Sequence, residues 1–514
     1  MTRRRATAWA AGLALVAGLG ACSSGGADDP ATTPGSDGPT TVTFAQGDSV
    51  SNLDPYAGGN TTTATLLFHL FDALTSTDDE GVVHGELAES YEAVDDTTWE
   101  LKLRQGVVFH DGEPFDADAV EYSIDRLLDP EKAFTNAADF QFISDVEVVD
   151  EYTVRIHTDA PFAGFPLRMI YLPMVPPDYI EEHGDEYFNE HPVGTGPFSF
   201  VEWVKDDRIV LQANEDYWGG APEIDELIYR TIPDPASRIA ALQAGEVDLI
   251  SSVPTSQLAS LGQLDGIETV ASPTTRAMYV GMNINRDAIA QDKDFRQALN
   301  YAVDVDTIID TVLQGNGTRL ATLVTPELFG YDDSIEPYPY DPDQAEKLLA
   351  ESAYAGEEIR LSVSPGSFVN GKEVAEAIAG YLRDVGVDVV VQDVENTVMS
   401  SSLKDGSVST LYFHGVGGPY ASAELTSRIR FGTGQRSSAY SNPELDALIA
   451  AGAQELDEAA AEQIWSQMQE LEKEEAPAIW LYQQYGTYAY SSDLVDWKPR
   501  LDELILFEGA RLER

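Results

Sequence analysis

The part of the sequence that decides the fold lies between residues 85 and 120, in three dense segments: GELAES (85–90), TWELKLR (98–104) and FHDGEPFDADAV (109–120). In the second segment Trp99, Leu101 and Leu103 alternate with polar residues, and this period of two predicts a strand with one buried face. The third segment leads into a helical pattern. Asp116 is a suitable N-cap for a helix whose apolar positions start at Val120.

Outward from this stretch the chain alternates between strand and helix patterns. Thr41–Gln46 predicts an early strand, and a long last helix is predicted from Ala453 to Glu474. A strand at 358–362, a helix at 372–385 and a strand at 387–392 form a βαβ unit, which implies parallel strands joined by a right-handed crossover. These patterns predict an α/β protein with open sheets. Ligands of such folds bind between domains or at the carboxyl ends of strands.

Composition narrows the function classes. The chain has 514 residues, a length that suggests about three domains, and 43% of them are hydrophobic, which is enough for globular cores. Asp and Glu number 88 against 31 Lys and Arg, and the formal net charge is −57. Because nucleic-acid affinity depends on Lys and Arg neutralising phosphates, this charge excludes a DNA- or RNA-binding protein. The acidic surface favours solubility, and it could also attract cationic ligands.

The N-terminus has the pattern of a secretory signal followed by a lipidation site. Arg3–Arg5 precede an apolar run, Ala6–Gly20, that is too short to span a bilayer, as in a secretory signal. Residues 19–22 (LGAC) resemble the bacterial lipobox, and Cys22 is the single cysteine of the chain. We therefore predict a signal peptide at 1–21, then lipidated Cys22 and a flexible tether at 22–40. This places the protein on the outer face of the cytoplasmic membrane. The alternative is a plain secretory signal with an incidental Cys22.

Catalytic and metal-binding signatures are missing from the sequence. There is no P-loop, no H-E-x-x-H and no G-x-S-x-G motif. The seven histidines are scattered, and none has zinc-ligand spacing. Asp304, Asp306 and Asp310 lack the mid-loop glycine of a calcium loop, and their segment has a helical pattern. The sequence thus predicts no catalytic residue, no metal and no cofactor.

The three segments at 85–120 resemble the hallmark region of the family 5 extracellular solute-binding proteins, the peptide, oligopeptide and nickel receptors of ABC importers. Further matching motifs follow in family order: PVGTGPF (192–198), Asn214 with Tyr217 and Trp218, Ala241 and Leu242 before GEVD (245–248), DFRQAL (294–299) with YAVD (301–304), and YSNPELD (440–446). The resemblance covers roughly residues 41–507. Each motif is modest alone, but their order behind a lipobox is specific.

The resemblance implies a two-lobed clamp of the periplasmic-binding-protein type with an extra inserted domain. By position, domain I is expected at 41–70, 196–272 and 481–514, domain II at 71–195, and domain III at 273–480. Hinges are expected near 270–275 and 478–482. The implied function is capture of a solute, peptide-like by family default, by a monomer that delivers it to the permease subunits of an ABC transporter. Two alternatives remain open: a surface lipoprotein hydrolase using paired carboxylates, and a receptor that senses a solute without transport.

Peptide receptors of the family hold the ligand ammonium with an Asp in a loop of domain III. The matching stretch here, Leu411–Tyr420, contains no acid, which leaves room for sugars, opine-like compounds, modified peptides or metal chelates as ligands. Its glycines allow backbone amides to approach a ligand closely. The candidate ligand-binding residues in this stretch are Tyr412, His414, Gly417 and Tyr420.

Other candidates come from the turn that in the family opens toward the cleft, and from the return into domain I. They are Asn52 and Tyr56 in the turn, and Tyr482 and Gln484 in the return. For the tyrosines, core packing is the competing interpretation. Arg436 is the candidate for clamping a ligand carboxylate, within a group that also includes Arg428 and Arg430. Salt bridges to nearby acids are the alternative for each arginine of this group.

Overall fold

The structure is a computed structural model that describes residues 39–78, 81–418, 422–435 and 437–514. The predicted signal peptide, Cys22 and most of the predicted tether lie outside the described residues. Residues 39–514 form one compact unit. No helix in the described part of the chain is long and apolar enough to cross a membrane.

The described residues form nineteen strands, numbered here in chain order. They are β1 (Thr41–Gln46), β2 (Thr75–Thr77), β3 (Val83–Gly85), β4 (Ala88–Asp95), β5 (Thr98–Leu103), β6 (Ile143–Asp150), β7 (Thr153–Thr158), β8 (Phe198–Val204), β9 (Arg208–Ala213), β10 (Glu226–Thr231), β11 (Leu249–Ser251), β12 (Ile267–Met282), β13 (Gly317–Arg319), β14 (Ile359–Val363), β15 (Val389–Asp393), β16 (Leu411–Val416), β17 (Ala478–Ser491), β18 (Leu494–Val495) and β19 (Arg511–Leu512).

Fifteen α-helices accompany the strands in this part of the chain, together with a 3-10 turn at Thr135–Asp139. They are α1 (Thr61–Leu70), α2 (Ala117–Leu128), α3 (Phe165–Met169), α4 (Pro177–His183), α5 (Asp185–Glu190), α6 (Pro235–Gln243), α7 (Thr255–Leu261), α8 (Lys293–Ala302), α9 (Val305–Thr311), α10 (Pro342–Glu351), α11 (Gly371–Asp384), α12 (Asn396–Asp405), α13 (Ala423–Phe431), α14 (Pro443–Gln454) and α15 (Glu458–Glu475).

One sheet of eleven strands runs through the molecule, in the order β15-β14-β16-β12-β17-β11-β1-β10-β9-β8, with β13 paired to β17. Its two parallel regions are β15-β14-β16 and β11-β1-β10. The long antiparallel pair β12-β17 separates them. A second sheet, β4-β5-β7-β6, is antiparallel throughout and carries the strand predicted at 98–103.

Two large hydrophobic cores lie on either side of the β12-β17 pair. The first core takes its buried side chains from between Val42 and Leu249 and between Tyr488 and Ala510. The second core takes them from between Ala277 and Tyr482. The chain therefore crosses between the cores within β12 and within β17. The domain boundaries assigned above, including 272/273 and 480/481, stay predictions.

Most of the local sequence patterns form the elements that they predict. The Asp116 carboxylate accepts hydrogen bonds from the backbone N–H groups of Asp118 and Ala119 at the start of α2, at 3.1 and 3.2 Å. The predicted βαβ unit is β14-α11-β15, and its strands are parallel. The last long helix, predicted from about Ala453 to Glu474, is α15, but its predicted start is wrong because α15 begins at Glu458. The chain leaves α14 after Gln454, and Asp457 caps the new helix α15 by accepting from the Ala460 N–H at 2.9 Å.

Candidate functional site

A cavity of about 370 Å³ lies where both parallel regions of the main sheet end. On the side of the first core, the cavity is lined by Gln46, the last residue of β1, by Asp48, two residues later, and by Ser251, the last residue of β11. From the second core's side it is lined by Ser367–Val369 after β14 and by His414–Gly417 at the end of β16. Because carboxyl ends of parallel strands leave such crevices, the sheet topology itself creates the cavity.

One wall of the cavity contains an ion pair between β12 and the C-terminal segment. The Arg276 side chain on β12 donates from Nε to the Glu503 carboxylate at 2.7 Å and from Nη2 to the Thr61 hydroxyl at 3.1 Å. Both side chains of the ion pair are largely buried. Arg276 and Glu503 therefore satisfy each other and tie β12 to the start of α1 and to the C-terminal segment.

Two further charged residues line the cavity without an ion-pair partner within 4 Å in the described part of the chain: Asp48 and Arg430. The Arg430 guanidinium donates from Nη2 to the Gly415 carbonyl oxygen at 3.3 Å, while its buried Nε has no hydrogen-bond partner there. Burial raises the pKa of Asp48, and the charges of Arg238 and Arg276 oppose that rise. The cavity thus contains one acid and one base that form no ion pair with any described residue.

His414 contributes a neutral ring. Burial first, and then the nearby Arg430 charge, lower its pKa to about 3. Its Nδ1 lies 2.7 Å from the Gly415 carbonyl oxygen and 2.8 Å from the Gly415 backbone nitrogen, so this ring nitrogen contacts the backbone of the next residue. At neutral pH this wall of the cavity therefore contains the cations of Arg276 and Arg430 and no imidazolium.

Gly417 closes the end of β16 against β12. Its φ is +148°, and a β-carbon there would meet the backbone of Thr275 and Arg276. The next residue, Gly418, donates its N–H to the Thr275 hydroxyl at 3.1 Å. The glycines of this stretch therefore allow two backbones to pack closely, in the wall of the cavity.

Three of the predicted ligand-binding residues line the cavity: His414, Gly417 and Gln484. Gln484 lies on β17, and its carbonyl oxygen accepts from the Thr274 hydroxyl at 2.7 Å. Its side-chain oxygen accepts from the Val369 N–H at 3.3 Å. Whether these residues contact a ligand stays a prediction.

Four other predicted ligand-binding residues lie away from the cavity. Tyr412 and Tyr482 are buried in the second core. Tyr56 is buried in the first core, where its hydroxyl donates to the Pro173 carbonyl oxygen at 2.8 Å. The Asn52 amide donates to the Gly58 carbonyl oxygen at 2.8 Å, which closes a local turn. The remaining two, Tyr420 and Arg436, lie outside the described residues, as does Cys22.

The sequence did not single out Asp48, Arg276 or Glu503. A signal for Asp48 was present, because it follows the predicted strand Thr41–Gln46, and strand ends of open α/β sheets face ligand crevices. Arg276 and Glu503 meet across 227 positions of the chain, which local patterns do not reveal. Arg430 was named only as one of a group of arginines. No group of three or more His, Cys, Asp or Glu that could hold a metal is found among the described residues.

Comparison with known proteins identifies the family. The model of the bacterial extracellular solute-binding proteins, family 5 (middle region), matches residues 82–437, well over half of the chain. The chain belongs to this family. It is therefore a family 5 solute-binding protein of the kind that serves ABC importers.

Its relatives are binding proteins. The glutathione-binding protein GsiB of Pectobacterium atrosepticum is 29% identical over 483 residues, which cover 91% of this chain and 93% of the relative. These relatives bind substrates and are not enzymes, so this family 5 protein is a binding protein and not an enzyme. The hydrolase alternative is thereby set aside.

Solved structures match the fold. DppA from Helicobacter pylori, in complex with the peptide STSA, has a TM-score of 0.85 at 23% identity and covers 92% of this chain and 98% of its own. AgaA, in complex with agropinic acid, has a TM-score of 0.83 at 24% identity and covers 92% and 99%. At these identities the likeness concerns the fold alone. The α/β, two-lobed periplasmic-binding-protein fold predicted from the sequence is confirmed.

Proposed function

We propose that this family 5 protein captures a short, peptide-like solute in the cavity at the carboxyl ends of the parallel strands. It then delivers the solute to the permease of an ABC importer. One observation carries the proposal. The cavity of about 370 Å³ takes residues from both sides of the β12-β17 crossover and contains an unmatched acid and an unmatched base. Its volume is in the range of about 300–1,000 Å³ typical of small-molecule sites. A zwitterion of tripeptide size would supply both missing charges.

Glutathione is the first specific ligand to test. It is a tripeptide with an ammonium group and two carboxylates, and the GsiB relatives are named as proteins that bind it. The polar cavity supports a ligand rich in hydrogen-bonding groups, since Asn60, Ser251, Ser367 and Gln484 line it together with the charged residues. An apolar ligand would leave these groups without partners, at a cost.

Lipid anchoring forms the second part of the proposal. Cys22 would carry the lipid and the residues that follow would hold the binding unit near the permease on the outer face of the membrane. Changing Cys22 to Ala should move the protein from the membrane fraction to the soluble fraction or block its processing. An unchanged distribution between the fractions would leave the protein without this anchor.

Binding is tested with the full chain purified in mild detergent. Native and denaturing mass spectra are compared to identify any small molecule that the protein carries. Isothermal titration then measures binding of glutathione and of a panel of di- and tripeptides. A carried or bound peptide supports the proposal, whereas a carried sugar or metal chelate, or the absence of binding across the panel, contradicts the peptide class.

Delivery is tested in cells. Deleting the gene should abolish uptake of the labelled solute identified by binding, and the wild-type chain should restore it. A deletion strain that takes up the solute at the normal rate, while the purified protein binds it, would contradict delivery and support the sensor alternative instead.

A further inference from the structure

The wall of the cavity formed by β16 and α13 carries a positive charge, whereas the family resemblance implies a negative charge there. In peptide receptors of the family this region supplies an Asp for the ligand ammonium. Here Leu411–Gly418 contains no acid, and the charged side chain that lines the cavity beside it is Arg430. The sign of the charge at this end of the cavity is therefore inverted.

Arg430 differs from the other arginines around it. On the same helix, Arg428 pairs with Glu424 at 2.6 Å and with Asp139 at 3.3 Å. Arg276, in the same cavity, pairs with Glu503. Arg430 has no carboxylate within 4 Å in the described ranges, and its Nε is buried without a partner there.

An unpartnered arginine is unexpected in this chain. Acids outnumber bases by 88 to 31, so carboxylates are abundant for any arginine that needs one. The groups that face Arg430 offer no negative charge: His414 is neutral, and burial raises the pKa values of Tyr279 and Tyr412, which keeps both hydroxyls protonated. The buried Tyr279 hydroxyl also has no partner in the described part of the chain. A partly buried guanidinium that lines a cavity, with no carboxylate beside it, is a suitable site for an anion from outside.

Asp48 supplies a negative charge on the side of the cavity that belongs to the first core. It lies after β1, is partly buried, and forms no ion pair within 4 Å among the described residues. The charges of Arg238 and Arg276 act on Asp48, but Arg276 pairs with Glu503, and the Arg238 guanidinium donates to the carbonyl oxygens of Ile232 and Pro233 at 2.8 and 3.0 Å. The Asp48 carboxylate is thus available to a ligand.

We propose that Arg430 binds a carboxylate of the solute and Asp48 binds its ammonium group, so that the solute lies in the cavity with a polarity opposite to that implied by the family resemblance. The proposal rests on the function proposed above. The planar guanidinium can donate two parallel hydrogen bonds to one carboxylate, which makes arginine the suitable side chain for this role. A carboxylate at the end of the solute is then required for binding.

The carboxylate site is tested first with acetate, which carries no other recognition group, and with its neutral analogue acetamide. Saturation-transfer NMR of the full chain measures contact with each probe. The net charge of −57 disfavours unspecific binding of anions. Wild type should give a signal for acetate and none for acetamide, and Arg430→Gln should lose the acetate signal. Arg360→Gln removes the same charge from an exposed position outside the cavity, and should keep the signal.

The polarity is tested with peptides. Glutathione and the tightest-binding tripeptide of the panel are compared with versions whose C-terminal carboxylates are amidated and versions whose amino group is acetylated. Amidation or Arg430→Gln should each weaken binding about 10- to 100-fold, since hydrogen bonds to charged groups are worth about 1.5–3 kcal/mol. Acetylation and Asp48→Asn should each do the same, while Asp265→Asn, an exposed control, should not. Amidation should have little further effect in the Arg430→Gln variant.

The outcomes separate this inference from the proposed function. Loss of the acetate signal in Arg430→Gln supports the carboxylate site even if no peptide binds, and only the peptide class then fails. An acetate signal that survives Arg430→Gln, or tight binding of amidated peptides, overturns the inference while solute binding stands. Circular dichroism and the unfolding midpoint of each variant exclude loss of fold as the cause.

Discussion

At the scale of single residues, Glu472 is the group whose environment is least compatible with its charge. It lies on α15 and is fully buried, and neither carboxylate oxygen has a hydrogen-bond partner among the described residues. Burial raises its pKa to about 8 from an ordinary value of 4.5. The folded protein therefore holds a proton on Glu472 at neutral pH, whereas the unfolded chain does not.

This proton predicts how stability depends on pH. Between the two pKa values, 4.5 and about 8, the folded state binds more protons than the unfolded state, so the free energy of unfolding falls as pH rises and levels off above about pH 8. Glu472→Gln removes the titration, and its unfolding midpoint should fall less than that of wild type between about pH 5 and pH 8, the range enclosed by the two pKa values. Thermal unfolding by circular dichroism measures this. Glu470→Gln, exposed on the same helix, should behave like wild type, and equal pH slopes for all three proteins would contradict the assignment.

Tyr56 gives a second prediction at this scale. Its ring packs in the first core beside the Arg126 guanidinium, and its hydroxyl donates to the Pro173 carbonyl oxygen. Tyr56→Phe should reduce the free energy of unfolding by about 1 kcal/mol, the usual net worth of one hydrogen bond. Because Tyr56 lies away from the cavity, ligand affinity should not change. A large loss of affinity in titration would instead support the ligand-binding role predicted from the sequence.

At the scale of elements, the contact between β16 and β12 depends on Gly417. Gly417→Ala places a methyl group against the backbone of Thr275 and Arg276, and the positive φ adds strain. The end of β16 should move, so we expect ligand affinity to fall about tenfold or more while the fold persists, since this strand end forms a wall of the cavity. Titration and circular dichroism test this. Gly380→Ala, on α11 with open space around it, is the control and should leave affinity unchanged.

Helix α13 forms another interelement contact that concerns binding. Glu424 accepts from Arg168 Nη2 at 2.8 Å and from Arg428 Nε at 2.6 Å, and all three side chains are mostly buried. Arg428 also reaches Asp139. This ion cluster joins α13 to the segment 139–168, which the sequence assigns to domains III and II, respectively.

The cluster predicts an effect on closure. Glu424→Gln leaves the buried Arg168 without its anionic partner but with an amide oxygen as acceptor, which costs part of the roughly 3–5 kcal/mol expected for a broken buried pair. If the cluster stabilises the ligand-bound form, affinity should fall and the radius of gyration of the bound protein should rise in X-ray scattering. Glu202→Gln, in an exposed pair with Arg208, should change neither quantity. Equal affinity for all three proteins would show that the cluster does not assist closure.

These elements also show what the sequence could predict. Strand β5, helix α2 and the unit β14-α11-β15 follow from local periodicity and caps, so they were predictable. The start of α15 was predicted too early, at Ala453, because the apolar pattern continues from the end of α14 and only Asp457 marks the new start. The location of the cavity, at the ends of parallel strands, was predictable. Its charges were not, because Asp48, Arg276 and Arg430 come together only through the pairing of distant strands.

At the scale of the whole molecule, the net charge of −57 has a cost for folding. Like charges repel one another in the compact state, and salt screens this repulsion, with a Debye length of about 10 Å at 0.1 M. The unfolding midpoint should therefore rise between low salt and about 0.5 M NaCl, an effect that the same concentration of KCl should reproduce. A midpoint that falls over this range would mean that attractive ion pairs outweigh the repulsion.

The pair β12-β17 carries the chain from one core to the other in both directions, and its register shifts between Pro273 and Ala277. Irregularities of this kind concentrate twist at one place in a strand pair. A small rotation there would displace residues far from the strand pair by a larger distance. The distance between two dyes placed on opposite sides of the β12-β17 pair would therefore change when a solute binds. Because Cys22 is the only cysteine of the chain, new cysteines can be labelled selectively once it is replaced. The same ribbon that joins the two cores thus offers a route to an optical sensor that reports its own ligand.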